Sequence, residues 1–217
     1  MWQRMRKDKI YCGLDLGGHS LKAAVVKKRD KNEPELMGLY QLKAVGLRDG
    51  SVSDLGEFSE CIGQTVHQLF KRVQVKCRHV RLGIGGNLIK VRSVRAVIPL
   101  VERGAKEITS YDIKRVQSQA RLLGLKMDEE VLHDFPLSYT IDETSTATYP
   151  LGLNARKLEV DSLLLVYNAA QVHNIIKAVQ MAGLEVEQVH FSTLMASHLS
   201  LTNGFRQEGC VLIDLGG

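Results

Sequence analysis

The chain has 217 residues, an apolar share of 44% and a formal charge of +5. That is ample chain for a core, in one large domain or two smaller ones. No run is apolar enough for long enough to span a bilayer, and the basic start MWQRMRKDK is followed by no apolar stretch of the kind a secretory signal carries. Much of the positive charge sits in those nine residues, which read as a solvated basic leader. No pattern of interleaved basic and aromatic residues follows them, which gives a membrane or nucleic-acid contact of the leader little support, and nucleic acid is not expected as a partner. The four cysteines, Cys12, Cys61, Cys77 and Cys210, lack Cys-x-x-Cys spacing. They read as reduced, mostly buried thiols of a cytosolic protein. The seven histidines do not cluster, and no metal site built on Cys or His is expected.

In chain order, the apolar run Ile10–Leu14 predicts a buried strand that delivers Asp15 to its end. Gly17-Gly18 then predicts a tight turn, and Ser20, Lys22 and the run from Ala23 to Val26 start a second strand. Successive backbone N–H groups at such a hairpin tip form a nest for anions, phosphate above all. Asp15 would not touch phosphate itself, because like charges repel. It would hold Mg²⁺ through water, since that ion takes one or two carboxylates and keeps several waters. Lys22 is either a point charge reaching phosphate or a solvated strand lysine. His19 reads as a surface residue of the loop.

Leu36–Leu42 is a third strand, followed by the polar, glycine-punctuated segment GLRDGSVSD at 46–54. Asp54 and Glu57 make a capping box for a helix running to Val73, with Leu55, Phe58, Ile62, Val66, Leu69 and Val73 on one face. Val80–Ile84 is a short strand. The GIGG at 83–86 has neither G-x-G-x-x-G spacing nor a following helix, so it reads as a turn at a domain junction. The order β-β-β-α-β predicts a mixed α/β layer and not a run of regular βαβ repeats.

From Asn87 to Val166 the pattern becomes a small β-α-β-β unit: Lys90–Pro99, a helix from Thr109 to Leu123, Val131–Ile141 and Lys157–Val166, with a polar loop at 142–154. Thr109 and Asp112 offer the helix cap and Gly124 its stop. Arg92, Arg95 and Arg103 read as a solvated basic face, and His133 and Asp134 as structural. The main layer resumes with a helix over Ala169–Ala182 ended by Gly183, a strand over Leu184–Val189, and a small-residue helix over Ser192–Leu201 that would pack closely beneath the cleft. Cys210–Leu215 predicts a further buried strand, and it ends in Asp214-Leu215-Gly216-Gly217, a second copy of Asp15-Leu16-Gly17-Gly18. Two such loops point to two halves facing one another across a nucleotide, each giving a strand-end carboxylate. A second loop with no strand after it marks the chain as a fragment of a longer protein.

Four stretches together resemble the bacterial cell-division FtsA family of the actin/Hsp70/sugar-kinase ATPase superfamily. They are GLDLGGHSLKAAVV at 13–26, GLRDGSVSD at 46–54, VRLGIGGNLI at 80–89, and LHDFPLSYTIDE at 132–143 with PLGLNARKLEVDSLLLV at 150–166. The resemblance covers nearly all of the chain after the leader, but only the N-terminal half of such a protein. It implies an α/β, actin-like (ribonuclease H-like) mixed-sheet subdomain at 10–86 plus 167–208, after a leader at 1–9. It implies an inserted small α+β subdomain of the FtsA 1C type at 87–166, and the start of a second actin-like half at 209–217.

The resemblance also implies ATP with Mg²⁺. Asp15, Gly17, Gly18, His19, Ser20 and Lys22 match the first phosphate loop, and Asp214, Gly216 and Gly217 the start of the second. Asp15 and Asp214 would hold Mg²⁺ through water. Many members carry Thr or Ser where this chain has Gly18, so the hydroxyl contact to phosphate is missing there. The implied role is a cytoplasmic scaffold on the inner face of the membrane at the division site. Its partners would be FtsZ through the half beyond this chain, later division proteins and itself through 87–166, and the membrane through a C-terminal helix beyond this chain. With no Gln, Glu or Asp on the helix before the second loop, ATP hydrolysis would be slow at most. The alternatives are a sugar-kinase-type small-molecule phosphotransferase and a pilus-assembly relative of FtsA.

Overall fold

The computed structural model describes residues 9–29, 33–48 and 50–215. The chain divides into two compact units, Ile89–Ala169 and the rest. Gly216 and Gly217 lie outside the described residues.

The first unit is built on a five-stranded mixed sheet in the order β13-β6-β1-β2-β3. β1 (Lys9–Leu16) and β2 (Ser20–Lys28) form the expected antiparallel hairpin, in register from Lys9↔Lys28 to Leu16↔Leu21. β3 (Glu35–Lys43) pairs antiparallel with β2. β6 (His79–Ile84) lies parallel to β1, and β13 (Glu185–Phe191) parallel to β6. The alternating core residues Cys12, Leu14, Leu16, Leu21, Ala23 and Val25 are buried, as a sheet with one face on a helix layer requires.

α1 (Leu55–Val73) covers β2 and β3 with Phe58, Ile62, Val66 and Leu69 at helical spacing. Its N-cap is half of the expected capping box. Asp54 accepts from the Glu57 amide at 2.8 Å, but its own amide donates to the Gly46 carbonyl at 3.2 Å, so the Glu57 side chain has no donor left to answer. The polar segment before it carries a minimal ribbon, β4 (Leu47–Arg48) against β5 (Ser51–Val52). α3 (Ala169–Met181) buries Val172, Ile175, Ala178 and Val179 and ends at Gly183 with φ +82°.

The last stretch departs from the sequence reading. α4 (Ser192–Ser200) buries no residue. A short α5 (Asn203–Glu208) follows, and Gly209–Leu215 is irregular, not a strand. Val211, Ile213 and Leu215 are 86%, 73% and 92% exposed. An apolar run becomes a strand only where a neighbouring edge pairs its backbone, and none of the described strands pairs with this one.

The second unit is a four-stranded antiparallel sheet, β10-β9-β12-β7, covered by α2 (Ser110–Gly124). β7 is Ile89–Pro99, β9 Glu129–Ile141, β10 Ser145–Ala147 and β12 Lys157–Asn168. A two-residue ribbon joins β8 (Lys106–Glu107) to β11 (Asn154–Ala155). The core gathers Ala96, Ile98, Ile108, Val116, Ala120, Leu158 and Val160. The Thr109–Asp112 capping box is complete. Gly124 is the last helical residue, and its service is packing: a Cβ there would meet Leu164 Cδ1 at 2.5 Å and Val94 Cγ2 at 2.8 Å. Arg92 and Arg95 are paired residues. Arg92 holds buried Glu129 with two bonds of 2.5 and 2.7 Å, and Arg95 donates to Asp161 at 2.8 Å.

Candidate functional site

The carboxyl ends of three adjacent parallel strands, β1, β6 and β13, meet at one edge of the first unit's sheet. In open α/β sheets that is where ligands bind. A cavity of about 560 Å³ opens there. Asp15, Gly17, Gly18, His19, Ser20 and Lys22 line it from the hairpin, and Asp214 lines it from the terminal stretch. The described residues singled out in the sequence therefore surround a single space.

The hairpin tip is shaped by close backbone approach. The Gly17 amide donates to the Ser20 carbonyl at 3.1 Å, and a Cβ at Gly17 would stand 2.9 Å from that oxygen. The His19 carbonyl accepts from the Ala44 amide at 3.0 Å, which ties the tip to the end of β3 and leaves the His19 ring exposed. Lys22 is the cross-strand partner of Asp15, with Nζ 3.6 Å from Oδ2 and both side chains nearly half exposed. Such a pair contributes little to stability. It does put the ammonium beside the carboxylate at the cavity wall.

Sequence reasoning missed half of this wall. Gly50, Gly85, Gly86, Asn87, Ser192 and Thr193 also line it. The Ser192 hydroxyl donates to Asp15 Oδ1 at 2.6 Å, and the Thr193 hydroxyl to Asp214 Oδ2 at 3.1 Å. Gly83 lies opposite Asp15 in the β1–β6 register, and a Cβ there would be 2.6 Å from Ser192 Oγ and 3.3 Å from Asp15 Oδ1. The GIGG segment thus permits the approach of Ser192 to Asp15 and supplies part of the cavity. It is more than a junction turn. Its signal was the glycine at the end of a strand, but its meaning came from parallel pairing with β1, which local spacing does not reveal.

The N-terminus of α4 opens on the same cavity, and no side chain caps it. Its free amides and the helix dipole favour an anion. Asp15 and Asp214 offer hard carboxylate oxygens, each steadied by a hydroxyl and each open to the cavity, which fits a hydrated Mg²⁺. Among the described residues no group of three or more His, Cys, Asp or Glu could hold a metal, so a cage made of protein ligands alone is not available.

Comparison with known proteins adds to this geometry. The profile of the SHS2 domain inserted in FtsA matches residues 86–166. Cell division protein FtsA of Streptococcus pneumoniae is 30% identical over 212 residues, 98% of this chain and 46% of its own length. The proteins of that name from Bacillus subtilis and Escherichia coli are 25% and 26% identical, over 98% and 96% of this chain. The chain is a partial FtsA-family sequence. It spans about half the length of the FtsA proteins it matches. A solved PilM–PilN type IV pilus biogenesis complex matches 87% of this chain with a TM-score of 0.58 at 16% identity. That likeness speaks for the fold alone, which is actin-like with an inserted subdomain.

Proposed function

We propose that this FtsA-family chain contributes one wall of an ATP site in an actin-like cell-division scaffold. In that reading the complete protein links the FtsZ ring to the cytoplasmic membrane, recruits later division proteins and hydrolyses ATP slowly. The supporting observation is the cavity at the ends of β1, β6 and β13, in which a glycine hairpin, a lysine, two carboxylates and an open helix N-terminus share one space.

The residues divide the work by chemistry. The Gly17–His19 turn and the α4 amides would take phosphate oxygens, with Lys22 as the nearby positive charge. Asp15 and Asp214 would hold the waters of Mg²⁺, which neutralises phosphate charge when bound. Ser192 and Thr193 would orient those carboxylates. α4 offers Ser and Thr hydroxyls and His198 but no Gln, Glu or Asp to position an attacking water; α5, the helix that directly precedes the second loop, does carry Gln207 and Glu208, but neither lines the cavity. Binding and switching are therefore better supported than rapid turnover.

Calorimetry of MgATP binding to the complete protein tests the site. Asp15→Ala should weaken binding about tenfold, equivalent to about 1.4 kcal/mol. Equal affinity in variant and wild type would remove Asp15 from the site. Fold alone does not choose between division and pilus assembly. The FtsA relatives favour division, and recovery of FtsZ rather than pilus proteins on co-purification checks that choice.

A further inference from the structure

Within Ile89–Ala169 the basic and acidic residues are equal in number, so the first unit carries the whole formal charge of +5. Much of it gathers at the sheet end opposite the cavity. There β1 and β6 begin, β2 ends and α1 finishes, which brings together Lys9, Lys28, Lys71, Lys76 and Arg78. Lys9 stands directly across from Lys28 in the β1–β2 ladder. Like charges so placed cost stability, and nothing in the packing of the sheet calls for them.

Local acids cancel only part of this charge, with Glu33 and Glu35 just before and at the start of β3, and Glu35 across from Lys27. Glu185 takes Arg78 at 2.6 Å and His79 at 3.0 Å, and Glu187 faces Arg81 at 3.8 Å. Among the described residues, Lys9, Lys28, Lys71 and Lys76 have no carboxylate partner. Lys9, Lys76, Arg78, His79 and Arg81 line one open depression of about 490 Å³, with Glu187 the one carboxylate on its wall.

We propose that this basic pole is an electrostatic contact surface for an anionic lipid bilayer, with a headgroup phosphate seated in the depression lined by Lys9, Lys76 and Arg78. Clusters of Lys and Arg are drawn to anionic headgroups. Nucleic acid suits the surface less well. Tyr11, the aromatic ring near this pole, already has the Arg81 guanidinium over one face at 4.7 Å, and no row of aromatic platforms for successive bases accompanies it there among the described residues. The inference stands on the described surface and does not rest on the scaffold reading.

The test is sedimentation of the complete protein with phosphatidylglycerol-containing vesicles and with pure phosphatidylcholine vesicles. Each basic residue at an anionic surface is worth roughly fivefold in affinity. The exposed triple variant Lys9→Gln/Lys28→Gln/Lys76→Gln should therefore lose at least about tenfold of the phosphatidylglycerol-dependent binding, while Lys177→Gln should not. Hydrogen exchange should slow across 9–12 and 71–78 when wild type meets those vesicles. A triple variant that binds as wild type would overturn the pole yet leave a membrane tether elsewhere in the protein untouched. Equal binding to both kinds of vesicle, or tighter binding to a DNA duplex that is lost in the triple variant, would also overturn it.

Discussion

At the scale of single residues, the most exacting arrangement in the second unit is the cap of α2. Asp112 is fully buried, and burial by itself would raise its carboxyl. The Thr109 hydroxyl and amide and the Lys106 ammonium outweigh burial and hold the group down at about 2, against an ordinary 3.8. A carboxyl depressed by folding adds stability above its unfolded pKa, and that stability is lost as pH falls through the folded value. Asp112→Asn removes the charge and nearly keeps the shape. In urea unfolding at neutral pH the variant should be less stable by about 1 kcal/mol, the usual worth of a cap. The gap between variant and wild type should close between about pH 4 and pH 2. A gap unchanged across that window would mean that the charge contributes nothing. This cap was legible in the sequence, because a capping box is a contract between residues three apart. The Ser192–Asp15 bond was not, since its partners are 177 residues apart and meet only through two parallel pairings.

At the scale of elements, α2 shows two effects in opposition at Gly124. Replacing a helical Gly by Ala gains about 1 kcal/mol in propensity. Here the new methyl would sit 2.5 Å from Leu164 Cδ1 and 2.8 Å from Val94 Cγ2, and Leu164 is fully buried in the sheet beneath. Overpacking of a filled core costs roughly 1–3 kcal/mol, so packing should win. Gly124→Ala is expected to lower the urea midpoint with an unchanged slope, and a raised midpoint would show that Leu164 swings aside freely. The sequence placed the glycine at the helix end correctly but not its purpose, because the neighbours that demand it come from β7 and β12. The same limit explains Cys210–Leu215. Its apolar composition matches that of β1, yet β1 is a strand because β2 and β6 pair with it, and the terminal run has no such edge among the described strands. Local signals specified each amphipathic face well. Pairing partners were legible only where a hairpin made them local, as for β1 and β2.

At the scale of the whole chain, the second unit begins and ends at one place. Ile89 opens β7, Tyr167 nearly closes β12, and the two are partners in the same antiparallel ladder. An insertion whose ends already touch asks little of its host, since a short linker can replace it at a small loop-closure cost. Its core is its own, drawn from Ala96 to Val160, and its sheet and covering helix both lie within Ile89–Ala169. Residues 86–168 expressed alone should therefore unfold in one cooperative transition with protected amides in β9 and β12. The complementary experiment replaces 89–167 with a short Gly/Ser linker in the complete protein. Each residue that lines the candidate cavity belongs to the first unit, so MgATP affinity should remain within about threefold of wild type, a change of about 0.65 kcal/mol. Self-association and contacts with later division proteins, which the resemblance to FtsA implies for 87–166, should be lost. A deletion variant that keeps its circular dichroism spectrum but no longer binds ATP would make the insertion an integral part of the nucleotide site. An isolated 86–168 that shows no cooperative transition would mean that the unit borrows its stability from the rest of the chain.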